Sequence, residues 1–139
     1  MKDRQLTFSL TALALILSAN VIAAKTPNFA GEFADKKFLK GRGVFQMSLE
    51  QSGKEVLVFF SAVHTDGHGA APEADGRGKV TSKGVVEFKW KDGFQNSGNG
   101  TITRAGNDII VSIKPTNVVD SRCMEFYGDN MRLKPAGKK

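Results

Sequence analysis

From Val44 onward the chain is cut into short runs of alternating apolar and polar residues, separated by turns rich in glycine, asparagine and aspartate. This rhythm limits the fold more than any other feature, because an extended strand sends successive side chains to opposite faces. Val44 to Glu50 places Phe45, Met47 and Leu49 on one face. Gln51-Ser52-Gly53-Lys54 is a hairpin turn. The run from Glu55 to His64 carries Val56, Leu57, Val58, Phe59, Phe60 and Val63, so both of its faces are apolar. Such a strand is expected at the centre of a sheet or with its outer face covered.

Thr65 to Asp75 is broken by Gly67, Gly69 and Pro72 and has no apolar period, which predicts a loop. A short strand follows at Gly78 to Thr81, then the turn Ser82-Lys83-Gly84. Val85 to Lys91 alternates, with Val86, Phe88 and Trp90 inward and Glu87, Lys89 and Lys91 outward. Asp92-Gly93 opens a turn that Phe94 and Asn96-Ser97-Gly98 extend. Thr101 to Arg104 is a strand, Ala105-Gly106-Asn107 a tight turn, and Asp108 to Lys114 a strand with Ile109, Val111 and Ile113 on one face. After a connection from Pro115 through Asp120, strands are expected at Met124 to Tyr127 and at Met131 to Lys134, with Gly128-Asp129-Asn130 turning between them. Asn28 to Phe33 can add one more strand. Asp35 to Lys40 is the only candidate helical turn, ended by Gly41 and Gly43. Seven or eight short strands without a helical period describe an all-β chain, an antiparallel up-and-down sheet. Closure into a single β-barrel removes the exposed edges, and a β-sandwich is the alternative.

The N-terminal residues set the compartment. Lys2 and Arg4 precede a mostly apolar stretch from Leu6 to Ala19, and Val21-Ile22-Ala23-Ala24 offers small residues for cleavage. This is the pattern of a secretory signal peptide over residues 1–24. The stretch is interrupted by Thr7, Ser9, Thr11, Ser18 and Asn20, and falls short of the ~20 apolar residues that a membrane span requires. A bacterial periplasmic or secreted protein is expected, with residues 25–139 as one domain that does not span the membrane after cleavage. Cys123 is the only cysteine, so the core has no internal disulfide. Its thiol is read as a small buried residue on or near a strand, the alternatives being a reactive thiol or an intermolecular bond.

The hairpin Phe88-Lys89-Trp90-Lys91-Asp92-Gly93-Phe94-Gln95-Asn96 with Gly100-Thr101-Ile102 resembles a central hairpin of avidin-type barrels. Gly31-Glu32-Phe33 is similar to the glycine-x-aromatic start of the lipocalin and avidin group. The resemblance covers less than a fifth of the chain and implies a small calycin-type barrel. It does not imply biotin, because avidins line that site with several tryptophans and this chain has one, Trp90. In size, export and fold class the chain also looks like bacterial lysozyme inhibitors. Val80-Thr81-Ser82-Lys83-Gly84 resembles their lysine-glycine turn, and the chain departs from them in lacking a cysteine pair.

Three groups of residues invite a functional reading. Phe45, Phe59, Phe88, Trp90 and Phe126 are expected inside the barrel. Phe59, Phe88, Trp90, Phe126 and Tyr127 would line a cavity for a small apolar or amphipathic ligand if the barrel is wide, and fill the core if it is narrow. Asn96 and Asn99 join Tyr127 as candidates for the rim of an open end. His64, Asp66 and His68 share one loop with ligand types that suit zinc or copper, although Asp66-Gly67 and Gly69 also explain the segment as turn chemistry. Lys36, Lys37, Lys40 and Arg42 lie near the start, and Arg132, Lys134, Lys138 and Lys139 near the end. Pairing of the first and last strands would merge them into one anion patch for lipid phosphate, anionic glycan or an acidic protein face, consistent with a net charge of +6.

Other classes lose ground. There is no recognition helix or aromatic stripe for nucleic acid. Ser61 and His64 fall on opposite faces of one strand, and no nucleophile elbow or phosphate-cradling glycine loop is present. No cofactor is implied. The expectation is an exported non-enzymatic binding protein holding a small ligand in its barrel. The first alternative is a protein-interaction module such as an inhibitor or immunity protein of a cell-wall hydrolase, contacting its partner through Asp66, Glu73 and Asp75. The second is metal capture through His64, Asp66 and His68.

Overall fold

Gly53, at φ 60°, sits in the two-residue turn of a long hairpin, and the ladder it starts runs without interruption from Ser52↔Glu55 to Gly43↔His64. In a computed structural model that describes residues 25–137, this hairpin is part of a closed antiparallel barrel of eight strands in sequence order. The strands are β1 (Gly31–Lys37), β2 (Gly43–Ser52), β3 (Glu55–His64), β4 (Glu73–Val80), β5 (Val86–Asp92), β6 (Ser97–Ala105), β7 (Asp108–Asn117) and β8 (Met131–Pro135). β1 and β8 close the ring through Phe33↔Pro135 and Ala34↔Lys134. Closure leaves no unpaired edge strand, which is how an all-antiparallel chain satisfies its outermost backbone groups. The predicted signal peptide over residues 1–24, and Lys138 and Lys139, lie outside the described residues. Among those described, no helix is long and apolar enough to cross a membrane.

Alternation decides what lies inside. Phe45, Met47 and Leu49 of β2, Val56, Val58 and Phe60 of β3, Phe88 and Trp90 of β5, and Ile109, Val111 and Ile113 of β7 are all buried. The two large rings of β5 are accommodated by glycine on both sides: Trp90 faces Gly76 and Gly98, and Phe88 faces Gly78 and Gly100. A Cβ at Gly100 would stand 2.3 Å from the Phe88 ring, and one at Gly78 would stand 2.1 Å from the Glu87 carbonyl oxygen. Small inward residues beside large ones let a narrow barrel fill without voids.

Both ends are stoppered. Phe29 is fully buried where β1 begins, its N–H donating to Gln51 Oε1 at 2.7 Å while Gln51 Nε2 donates to the Pro27 carbonyl at 2.8 Å. At the other end the 3₁₀ helix Ser121–Phe126 drives Cys123 and Phe126 into the interior.

Several elements differ from the sequence expectation. Met124 to Tyr127 is the end of this 3₁₀ helix and the residue that follows it, because burying Cys123 and Phe126 together requires a spacing of three rather than the two of a strand. β4 starts at Glu73, so the loop spans only residues 65–72. β6 starts at Ser97, with a register shift between Ser97 and Gly98. Gly98, read as part of a turn, is an inward strand position beside Trp90, as Gly76 is on the other side. The expected helical turn at Asp35 to Lys40 is instead the end of β1 and a tight turn at Phe38–Gly41, in which Leu39 (φ 54°) and Lys40 (φ 58°) are left-handed. Phe38 is drawn into the core against Phe45, at 5.5 Å between ring centres, which leaves few residues to reverse the chain. The outer face of β3 is not covered: Phe59 is 41% and Val63 38% exposed.

Candidate functional site

The interior is occupied by rings in contact. Phe45 stacks on Phe60 at 5.6 Å, Phe60 meets Trp90 edge-on at 5.6 Å, and Trp90 meets Tyr127 at 4.8 Å. Phe126 stacks on Phe38 at 6.3 Å. Phe88, Trp90, Phe126 and Tyr127 are therefore brought together as packing, each almost wholly buried. Trp90 Nε1 donates to the Asn99 carbonyl at 2.9 Å, which satisfies the one polar atom of its ring. Phe59 does not join them. Val56, Val58 and Phe60 point inward, so Phe59 must point outward, which corrects the expectation that it lies inside.

A buried polar network sits beneath the 3₁₀ helix. Asp92 accepts from the Tyr127 hydroxyl, from the N–H groups of Phe94 (2.8 Å) and Asn96 (2.9 Å), and from Asn96 Nδ2 (3.0 Å). Burial and the neighbouring Asp92 carboxylate push the Tyr127 phenol well above its ordinary range. Burial, reinforced by Asp92 and Asp120, also raises the Cys123 thiol, so this cysteine is held in its unreactive form. Asn96 is itself fully buried, not at an open rim, and Tyr127 is buried with it, whereas Asn99 is exposed on the outer face.

The histidine loop is brought together in a particular way. The His64 and His68 rings stack at 4.2 Å and 14°. His64 Nε2 donates to Glu125 Oε2 at 2.9 Å, and His68 Nδ1 pairs with Asp66, whose carboxyl is held below its usual range by hydrogen bonds from His68. Imidazole lone pairs lie in the ring plane, so two nearly parallel stacked rings do not aim at a common ion. Among the described residues no group of three or more His, Cys, Asp or Glu side chains is placed to hold a metal. Glu125, which sequence reasoning did not connect to His64, is supplied by the 3₁₀ helix 61 residues away.

The two basic groups meet only in part. β8 lies beside β1, but Arg132 Nε is 2.8 Å and Lys134 Nζ 3.9 Å from Asp108 Oδ2, so one carboxylate serves both. Lys36, Lys37, Lys40 and Arg42 are exposed around the β1–β2 turn.

The feature that sequence reasoning missed lies on the outer face. Register lines up Glu32, Ser48, Phe59, Asp75 and Lys91 as successive cross-strand neighbours over β1 to β5. They line a groove of about 650 Å³, with Glu73 beside them. Ser48 Oγ donates to Glu32 Oε2 at 2.6 Å, which fixes that carboxylate on the groove wall. Glu73 and Asp75, expected on a loop, are rigid strand residues here. A second groove of about 670 Å³ crosses β4 to β6 and has the opposite character, with Arg77 and Lys89 as cross-strand neighbours. The first groove thus offers an exposed aromatic ring among three carboxylates on a closed scaffold. Its acid–aromatic pairing was hidden in the sequence because Glu32 and Phe59 are far apart along the chain and meet only through register.

Comparison of the chain with models of known protein families, with curated proteins and with solved structures finds no match.

Proposed function

We propose that this chain is an exported, non-enzymatic interaction protein that binds a basic protein partner through the Phe59 groove, in the manner of an inhibitor or immunity protein of a cell-wall hydrolase. The exposure of Phe59, at 41% in the middle of an acidic groove, carries this reading. An aromatic ring left 41% exposed on a strand gains less from folding than a core ring, and such rings recur at the energetic centres of protein interfaces. The filled interior turns the weight away from a small ligand held in the barrel. A chain with net charge +6 would ordinarily repel a basic partner, and Glu32, Glu73 and Asp75 supply the local field that opposes this. Export rests on the pattern of residues 1–24.

The test is inhibition and binding of basic lysozyme-type hydrolases by the chain lacking residues 1–24, compared with its Glu73→Lys/Asp75→Lys variant. The reading predicts binding that the double reversal weakens at least tenfold, about 1.4 kcal/mol. Binding that is unchanged in the variant, or absent across such hydrolases, contradicts it.

A further inference from the structure

We infer that the groove receives an arginine or lysine side chain from an extended segment of the partner, seated on the face of Phe59 between Asp75 and Glu32. The inference rests on the interaction reading above and names the chemistry of its occupant. Phe59 has Asp75 as its direct neighbour on β4 and Ser48 on β2, and Ser48 carries Glu32 by hydrogen bond. Carboxylates therefore stand on both sides of the ring along one row, and Glu73 adds a third two residues from Asp75. The three have no ion-pair partner among the described residues.

An aromatic face attracts a cation through its quadrupole, and flanking carboxylates add charge from either side. An anion would be repelled by all three acids. A purely apolar segment would desolvate the acids without pairing them, which is costly. Lys91, the next residue in the row after Asp75, sets the far limit, since a partner cation placed there meets like charge. The row crosses five adjacent strands, about 19 Å at the ~4.8 Å spacing of paired strands, room for several residues of an extended chain, and it holds one exposed ring, so a single cation is its anchor.

The experiment is an amide NMR titration of the chain with acetyl-Leu-Arg-Leu-amide and with its citrulline counterpart, which keeps the shape and removes the charge. The arginine peptide is expected to shift the signals of Ser48, Phe59 and Asp75 and to bind about fivefold or more tightly than the citrulline peptide. Phe59→Leu, which keeps apolar area and loses the ring but leaves the three carboxylates, should reduce that preference by about twofold or more while leaving the rest of the spectrum in place. Equal binding of the two peptides, or shifts mapping to the Arg77–Lys89 groove, overturns the inference. If that happens while Glu73→Lys/Asp75→Lys still weakens hydrolase binding, the cation is wrong and the interaction reading stands. If the double reversal also has no effect, both fall.

Discussion

Asn96 and Asp120 clasp each other through side chain and backbone: Asn96 Oδ1 accepts the Asp120 N–H at 2.9 Å, and Asn96 Nδ2 donates to the Asp120 carbonyl at 3.1 Å. The same Asn96 oxygen accepts from the Val119 N–H at 2.7 Å, and its nitrogen donates to Asp92 at 3.0 Å. One fully buried amide therefore ties the β5–β6 turn to the segment leading into the 3₁₀ helix through the backbone of Val119, whose side chain is exposed, and of Asp120. Asn96→Ala should lower unfolding free energy by about 2–4 kcal/mol, since buried donors and acceptors lose their partners together. Urea denaturation measures this, and a loss under about 1 kcal/mol would show that the clasp is not structural.

The glycines beside the β5 rings make a second prediction. Gly100→Ala places a methyl against the Phe88 ring and Gly78→Ala places one against the Glu87 carbonyl, so each should cost about 1–3 kcal/mol through overpacking. Gly93→Ala, with no atom within 4 Å of the new methyl, is the matched control and should be nearly neutral. Equal effects at the three sites would mean that the tight β4–β5–β6 packing is not what these glycines serve.

Asp120 is held at about 2 by hydrogen bonds and charge from Arg122. A carboxyl depressed in the folded state contributes stability that is complete above its unfolded value near 3.8 and is lost as pH falls through about 2. A carboxyl titration by NMR should find this midpoint in the wild-type chain and one nearer 3.8 in Arg122→Gln. Identical midpoints in the two proteins would remove Arg122 as the cause.

Cys123 should be silent toward a thiol reagent in the native chain and fully reactive in denaturant, because burial both hides the sulfur and disfavours the thiolate. Rapid labelling of the folded protein would contradict the inward placement of the 3₁₀ helix.

Much of the barrel was legible in the sequence where period and turn chemistry agreed. The bounds of β3 match, and the inward faces of β5 and β7 follow from simple alternation at Phe88, Trp90, Ile109 and Val111. Legibility failed where one residue type carried two meanings. Gly98 has the composition of a turn, yet with Gly76, Gly78 and Gly100 it serves as a small partner of Phe88 and Trp90 inside strands. Met124 to Tyr127 has the composition of a strand, and only its tertiary role as a stopper makes it helical. The site was least legible of all. Glu73 and Asp75 were visible as acids, but their alignment with Glu32 and Phe59 exists only once four strands are in register. Phe59 itself was readable: strict alternation from Val56, Val58 and Phe60 sends it outward, against the simpler notion that a phenylalanine in an apolar run lies inside.

On the proposed function Phe59 serves binding more than folding, and Phe59→Ser measured for both stability and hydrolase binding separates the two roles. Unfolding free energy is expected within about 1.5 kcal/mol of the wild-type value, well below the ~3–5 kcal/mol of a core phenylalanine, with binding weakened by at least about tenfold. A stability loss of several kcal/mol would place Phe59 in the core after all, and unchanged binding would remove the outer groove from the protein's function.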